Sequence, residues 1–343
     1  MKPDINKRAR DLLEILISQY IRDGKPVGSR TLSRQSGLSL SPATIRNVMA
    51  DLEDAGLIAA PHTSAGRIPT SQGYRFFVDT LVTAHERQAG SRGVESSMVD
   101  SSGTAKAVES TSNLLSALTN FVGVVTVPKR ESFAFRHIDF VTLSDTQVLA
   151  ILVFADGEVQ NRLLTTDRRF SQPELERAAN FLNSEYSGMR LPEIKARLID
   201  HMATSKQQMD ELMQAAIDVA RNAFSKGQRA DVVVSGQTNL MQHADFGDLN
   251  KLRTLFEAFQ EKREILFLLE ECVGANGVRL FIGEESGSEA LDACSVVSAP
   301  YQAGDEVVGV LGVIGPTRMA YDHVISVVEA TAEVLSSVLN QKR

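Results

Sequence analysis

Residues 41–75 constrain this chain more than any other stretch, because they lay a cleanly started helix, a glycine stop and a hairpin in succession. Ser41 suits an N-cap, and Pro42 falls at the first helical position, where a missing N–H costs nothing. Ile45, Val48, Met49 and Leu52 recur at helical spacing and form the face to be buried. Gly56 is placed to close the helix with a positive φ. The opposite face carries Ala43, Arg46, Asn47 and Ala50, two small residues beside two side chains suited to base edges. That pattern fits a helix lying in a DNA major groove.

The flanking sequence supplies what such a helix needs. Residues 4–22 spell an amphipathic helix with Ile5, Leu12, Leu13, Leu16, Ile17, Tyr20 and Ile21 on its apolar face and Gly24 as its stop. Pro26-Val27-Gly28 is a short turn or strand, and Ser29–Ser36 a second helix ended by Gly37, the parts of a helix-turn-helix. After the third helix, Leu57-Ile58 and Ile68 predict two short strands around a tip of Pro61-His62-Thr63-Ser64-Ala65-Gly66-Arg67. A wing of this kind can set a cation against phosphate or into the minor groove. A further helix, capped by Thr70–Gly73 and running to about Leu81, follows.

Charge separates this part from the rest. Residues 1–85 hold 11 Lys and Arg against 8 Asp and Glu, a net +3, while the remaining chain holds 25 against 35, a net −10. A modestly basic head on an acidic body favours DNA approach from one side. No apolar run reaches the ~18 residues of a membrane span, and the N-terminus lacks the apolar core of a secretory signal. Cys272 and Cys294 are the only cysteines, which fits a reducing cytoplasm and small buried side chains, and two thiols cannot build a Cys/His zinc cluster.

At 343 residues the chain exceeds one ordinary core. Residues 86–106, rich in Gly and Ser, predict a flexible linker or a frayed helix. A helix at 105–118 precedes an antiparallel meander at 121–127, 133–143, 147–154 and 158–164, with one wet face. Helical spacing then holds from the Ser171–Glu174 capping box almost to Ser225, with Met189, Met202, Met209 and Met213 in its apolar stripes. An insert of that length needs a surface to pack against, and a symmetric partner is the simplest. Strands at 231–235, 278–283, 295–299 and 307–314, helices at 249–259 and 262–270, and a final helix from Pro316 to about Asn340 complete one sheet with helices on one side.

Catalysis finds little support. Glu284-Glu285 and Asp305-Glu306 read as solvated loop carboxylates, and His137 with Asp139 is one isolated pair on a strand face. Gly309-Val310-Leu311-Gly312 lacks the Lys-Ser/Thr ending of a phosphate loop. No catalytic, cofactor or metal site is expected.

Several stretches resemble one family, the heat-inducible transcription repressor HrcA: Val27–Leu32, Ser41–Glu53, His62–Thr70, Phe281–Glu285 and Val310–Tyr321. The resemblance covers most of the chain and is weakest in the linker and the helical insert. It implies an α+β multidomain protein: a winged helix-turn-helix (1–85), a linker (86–106), and a GAF-like antiparallel sheet domain in two parts (107–167 and 228–343). The parts would be split by a helical dimerisation insert (168–227). It further implies a cytoplasmic homodimer that represses chaperone operons at an inverted repeat called CIRCE, with help from the GroEL chaperonin. A two-fold dimer offers one recognition helix per half-site. Arg46 and Asn47 are the expected base readers. Ser29, Arg30, Thr31, Thr44 and Arg67 are expected on phosphate or sugar, and Ser41, Ala43, His62 and Thr63 complete the DNA-facing set. The alternative is a metabolite-responsive repressor whose GAF-like domain binds the effector.

Overall fold

The computed structural model describes residues 5–35, 40–62, 66–88, 103–128, 133–166, 168–194, 196–197, 231–275 and 277–340. The N-terminal part forms α1 (Lys7–Asp23), α2 (Ser29–Gln35) and α3 (Pro42–Asp54), then β1 (Ile58–Ala59), β2 (Ile68–Pro69) and α4 (Ser71–Gln88). Leu12, Leu13, Leu16 and Ile17 of α1 share a core with Leu32, Ile45, Met49 and Leu52, each buried. Val27 exchanges two backbone hydrogen bonds of 2.9 Å with Arg67, which makes it a third, one-residue strand beside the hairpin. Helix α4 runs well past the expected end near Leu81 and into the stretch expected to be linker.

The body is built on a five-stranded antiparallel sheet. Its strands are β3 (Val122–Thr126), β7 (Val232–Ser235), β8 (Arg279–Ile282), β9 (Cys294–Ala303) and β10 (Glu306–Pro316), in the spatial order β7-β3-β10-β9-β8. Counted within the sheet this is 2-1-5-4-3, an antiparallel sheet completed by strands from before and after the intervening segment. Helices α5 (Thr104–Thr119) and α9 (Tyr321–Asn340) pack together against β3 and β9. Nearly every residue of β3 and β10 is buried, so both faces of the sheet are covered, not one. Of the two intervening helices, α7 (Leu249–Glu261) and α8 (Arg263–Glu270), α8 packs against β10. The last helix starts at Tyr321, because Pro316 ends β10 and a turn intervenes.

Two expectations for the middle of the chain need correction. Of the predicted meander, only β3 joins the main sheet. The other strands, β4 (Phe135–Ser144), β5 (Gln147–Phe154) and β6 (Val159–Thr165), form a separate three-stranded sheet. Its inner face, Phe135, Ile138, Phe140, Val148, Ala150, Leu152 and Leu164, is buried beside α6 (Gln172–Tyr186), which contributes Leu175, Ala178, Ala179, Leu182 and Tyr186. Asn183 locks the two together by accepting from the Ile138 N–H at 2.8 Å and donating to its carbonyl at 3.1 Å. Residues 107–167 therefore divide between two sheets, and everything from 127 to 231 lies between adjacent strands of the main one. Second, the helical spacing from 171 is interrupted: α6 stops at Tyr186, and the Gly188 N–H and the Met189 carbonyl bond to Phe135. Glu174 starts α6 by accepting from the Ser171 N–H at 2.8 Å and hydroxyl at 2.7 Å. Met202, Met209, Met213 and the remaining helical stretch to 225 lie outside the described residues.

Candidate nucleic-acid interface

Helix α3 begins as its sequence demands. Ser41 is extended (φ −67°, ψ 151°), and its hydroxyl accepts from the Thr44 N–H at 3.1 Å, while the two hydroxyls lie 3.0 Å apart. The cap satisfies one N-terminal donor that the helix itself leaves unpaired. At the other end Gly56 adopts φ 72° and its N–H bonds the Glu53 carbonyl at 2.9 Å, the left-handed stop expected of a glycine there. With Ile45, Met49 and Leu52 turned inward, Ala43, Arg46, Asn47 and Ala50 are exposed along the outer face. Arg46 and Asn47 make no hydrogen bond or ion pair with any described residue, so their donors face solvent. Exposed Asp51 and Asp54 follow on the C-terminal turns and mark where a strip suited to DNA ends. The outer face of α3 thus carries Arg46 and Asn47 in its N-terminal half and only acidic side chains, Asp51 and Asp54, on its last turns.

Around it, Arg30 and Thr31 are exposed on α2 and Ser29 is half-buried at its start. Arg34 is exposed four residues after Arg30 and so on the same face of α2. Thr44 is half-buried and, like Ser41, is engaged in the cap. His62 is exposed on the wing, and Thr63 lies outside the described residues.

Arg67 is held inside the domain by an acid. Its Nε donates to Glu53 Oε2 at 2.9 Å and its Nη2 lies 2.8 Å from the same oxygen, while its backbone pairs with Val27. The guanidinium braces the wing against the end of α3. Thr70 adds a second brace, donating to the Gly56 carbonyl at 2.6 Å. Wing base and recognition helix are thus joined by two side-chain contacts besides the backbone.

Two carboxylates expected to be solvated are occupied as well. Glu285 holds Arg75 of α4, and Glu306 holds Arg190 from the segment after α6. His137 Nε2 and Asp139 Oδ2 do share a strand face, 3.4 Å apart, but both are exposed. Among the described residues, no cluster of three or more His, Cys, Asp or Glu side chains could hold a metal. Both cysteines are free and buried, and burial pushes the Cys294 thiol up to about 12.

Comparison with known proteins agrees with this geometry. Residues 4–81 match the family model described as winged helix-turn-helix transcription repressor, HrcA DNA-binding, and residues 105–325 match the HrcA protein C terminal domain. The heat-inducible transcription repressor HrcA of Xanthomonas campestris pv. campestris is 52% identical over 338 residues, covering 98% of this chain and 97% of that protein. The repressor of the same name from Xylella fastidiosa strain M23 is 48% identical over 337 residues, covering 98% and 97%. These relatives are named for a regulatory role, not an enzymatic one. A crystal structure of a hypothetical protein shares the fold, with a TM-score of 0.66 at 24% identity over 99% of this chain and 100% of that one. The chain belongs to the heat-inducible transcription repressor HrcA family and carries its winged-helix DNA-binding domain at residues 4–81.

Proposed function

We propose that the chain represses heat-shock chaperone operons as a cytoplasmic homodimer bound to the inverted-repeat CIRCE operator, and that its active state depends on GroEL. The observation that carries the DNA-reading part is the outer face of α3, where Arg46 and Asn47 stand exposed and unpaired among the described residues beside small Ala43 and Ala50. Arg pairs with guanine O6 and N7, and Asn with adenine N6 and N7, each contributing about 1–3 kcal/mol of discrimination. Arg30 and Arg34 of α2 and His62 of the wing would sit on the backbone on either side, fixing register without reading sequence.

The dimer reading rests on the three-stranded sheet. Its inner face packs on α6, but its outer face also carries aliphatic side chains: Val141, Leu143, Val159 and Leu163 are 41%, 53%, 53% and 57% exposed, with Leu149, Ile151 and Val153 between them. A face of this kind is suited to a second copy, since burying one such side chain is worth ~1.5–3 kcal/mol. We assign dimerisation to residues 127–231 on this ground. No helix of the described residues is long and apolar enough to cross a membrane.

Protection of operator DNA by the purified chain, with and without GroEL, tests the proposal. Paired, symmetric footprints with a larger active fraction in the presence of the chaperonin are expected. A single asymmetric footprint would remove the dimer, and an unchanged active fraction would remove the chaperonin dependence.

A further inference from the structure

The winged domain meets the body along one seam, and two arginines cross it in opposite directions. Arg75 reaches out from α4: its Nε donates to Glu285 Oε1 at 2.9 Å, and its Nη2 donates to the Leu280 carbonyl at 2.8 Å and to Glu285 Oε2. Glu285 is already held in place, because Oε2 also accepts from the Ile282 N–H at 2.9 Å. Arg318 reaches back from the body. Its Nε and Nη2 donate to the Asp245 carboxylate at 3.2 and 2.9 Å, and its Nη1 donates to the Ile21 carbonyl at 3.2 Å. Ile21 lies in the last turn of α1, where carbonyls lack helical partners and the helix end is partly negative. Gly24, at φ 65°, gives this approach room, since a β-carbon there would lie 3.2 Å from the guanidinium and push it back by a few tenths of an ångström.

A tilted pair of buried rings lies between the two crossings. Tyr74 of α4 and Tyr321 of α9 are both buried, with centroids 5.9 Å apart and planes tilted 50°. Tyr74 lies within electrostatic reach of Arg318 and Asp245, and Tyr321 within reach of Arg75 and Glu285. One contact would act as a pivot; two separated contacts with a ring pair between them also fix rotation. Neither crossing is fully shielded, since the Arg75 and Glu285 side chains are 30% and 37% exposed. The pairs therefore favour one orientation without welding it, on a seam of a kind where relative domain motion is the default.

We propose that Arg75 and Arg318 are positioning residues for operator recognition. They fix the angle at which each recognition helix leaves the body, so that the dimer measures the spacing between half-sites. The inference rests on the dimeric operator reading above. Nothing in α3 itself can supply this measurement, because helix separation on a two-fold operator is set by whatever holds the two domains apart.

The test uses the full chain carrying Glu285→Gln and Arg318→Gln, which remove the carboxylate that holds Arg75 and the guanidinium that reaches the Ile21 carbonyl. Binding is measured to the inverted repeat, to repeats with two base pairs added or removed between half-sites, and to a single half-site. Two base pairs rotate one half-site by roughly a fifth of a turn, so the parent chain is expected to lose at least about tenfold in affinity. In the variant that penalty is expected to shrink to about threefold or less, with half-site affinity unchanged within about twofold. A variant that keeps the parent's spacing penalty overturns the inference. A parent chain indifferent to spacing overturns the dimeric reading and the inference together. The charge reversal Arg75→Glu with Glu285→Arg covers the case in which the first variant does not fold. It should regain part of the spacing penalty lost in Arg75→Glu alone, and failure to regain any counts equally against the clasp.

Discussion

The recognition face and the interdomain seam use arginine in opposite ways. On α3, Arg46 is exposed without a described partner, whereas Arg75 and Arg318 at the seam each hold a carboxylate and a backbone carbonyl. Arg67 belongs with the second group, although its place on the wing suggested the first. The difference lies in what faces each side chain. An arginine opposite an acid from another element is a strut; one opposite water, on a helix with small neighbours, is available to DNA.

The sharpest way to break this contrast is Arg46→Ala. It should cost about 1–3 kcal/mol on operator DNA, roughly five- to 150-fold, and much less on random DNA, as measured by competition titration at fixed salt. Equal losses on both would move Arg46 from base reader to backbone contact. Next in size is the brace. If Arg67 acts through Glu53, then Arg67→Ala and Glu53→Gln should weaken operator binding and the domain's thermal stability by similar amounts, on the order of 1 kcal/mol or less for a pair about one-third exposed. A phosphate contact would instead make Glu53→Gln bind equally well or better, because it removes a nearby negative charge. The smallest effect is expected for Asp79→Asn. Its carboxylate lies 3.6 Å from Arg75 within one helix, an i, i+4 arrangement contributing about 0.3–0.5 kcal/mol. It should change melting little and spacing selectivity not at all, and a large change in selectivity would show that the seam extends beyond its two crossings.

Local signals carried the winged domain almost completely. Ser41, Pro42 and Gly56 bracket α3 because capping and positive φ are decided within a few residues, and the apolar stripe of α1 falls where its spacing places it. The strands of the body were legible for the same reason. Their partners were not. Alternation identifies β4, β5 and β6 as strands but does not say that they form their own sheet, since sheet membership depends on pairing across long loops. Glu285 looked like a loop carboxylate for a related reason: its partner Arg75 is 210 residues away. Both Arg67 and Glu53 were visible, but only the hairpin geometry places one against the other.

One hydrogen bond at the seam has a consequence for how the body survives on its own. β8 is the last strand on its side of the sheet, and the Leu280 carbonyl that its neighbour β9 leaves unpaired is taken by Arg75 of α4. The head of the molecule is thus also the cover of a sticky strand edge. Cutting the chain between residues 88 and 103 and separating the halves would leave the body with the Leu280 carbonyl bare on its strand edge. Such a body is prone to pair with its own kind and leave solution.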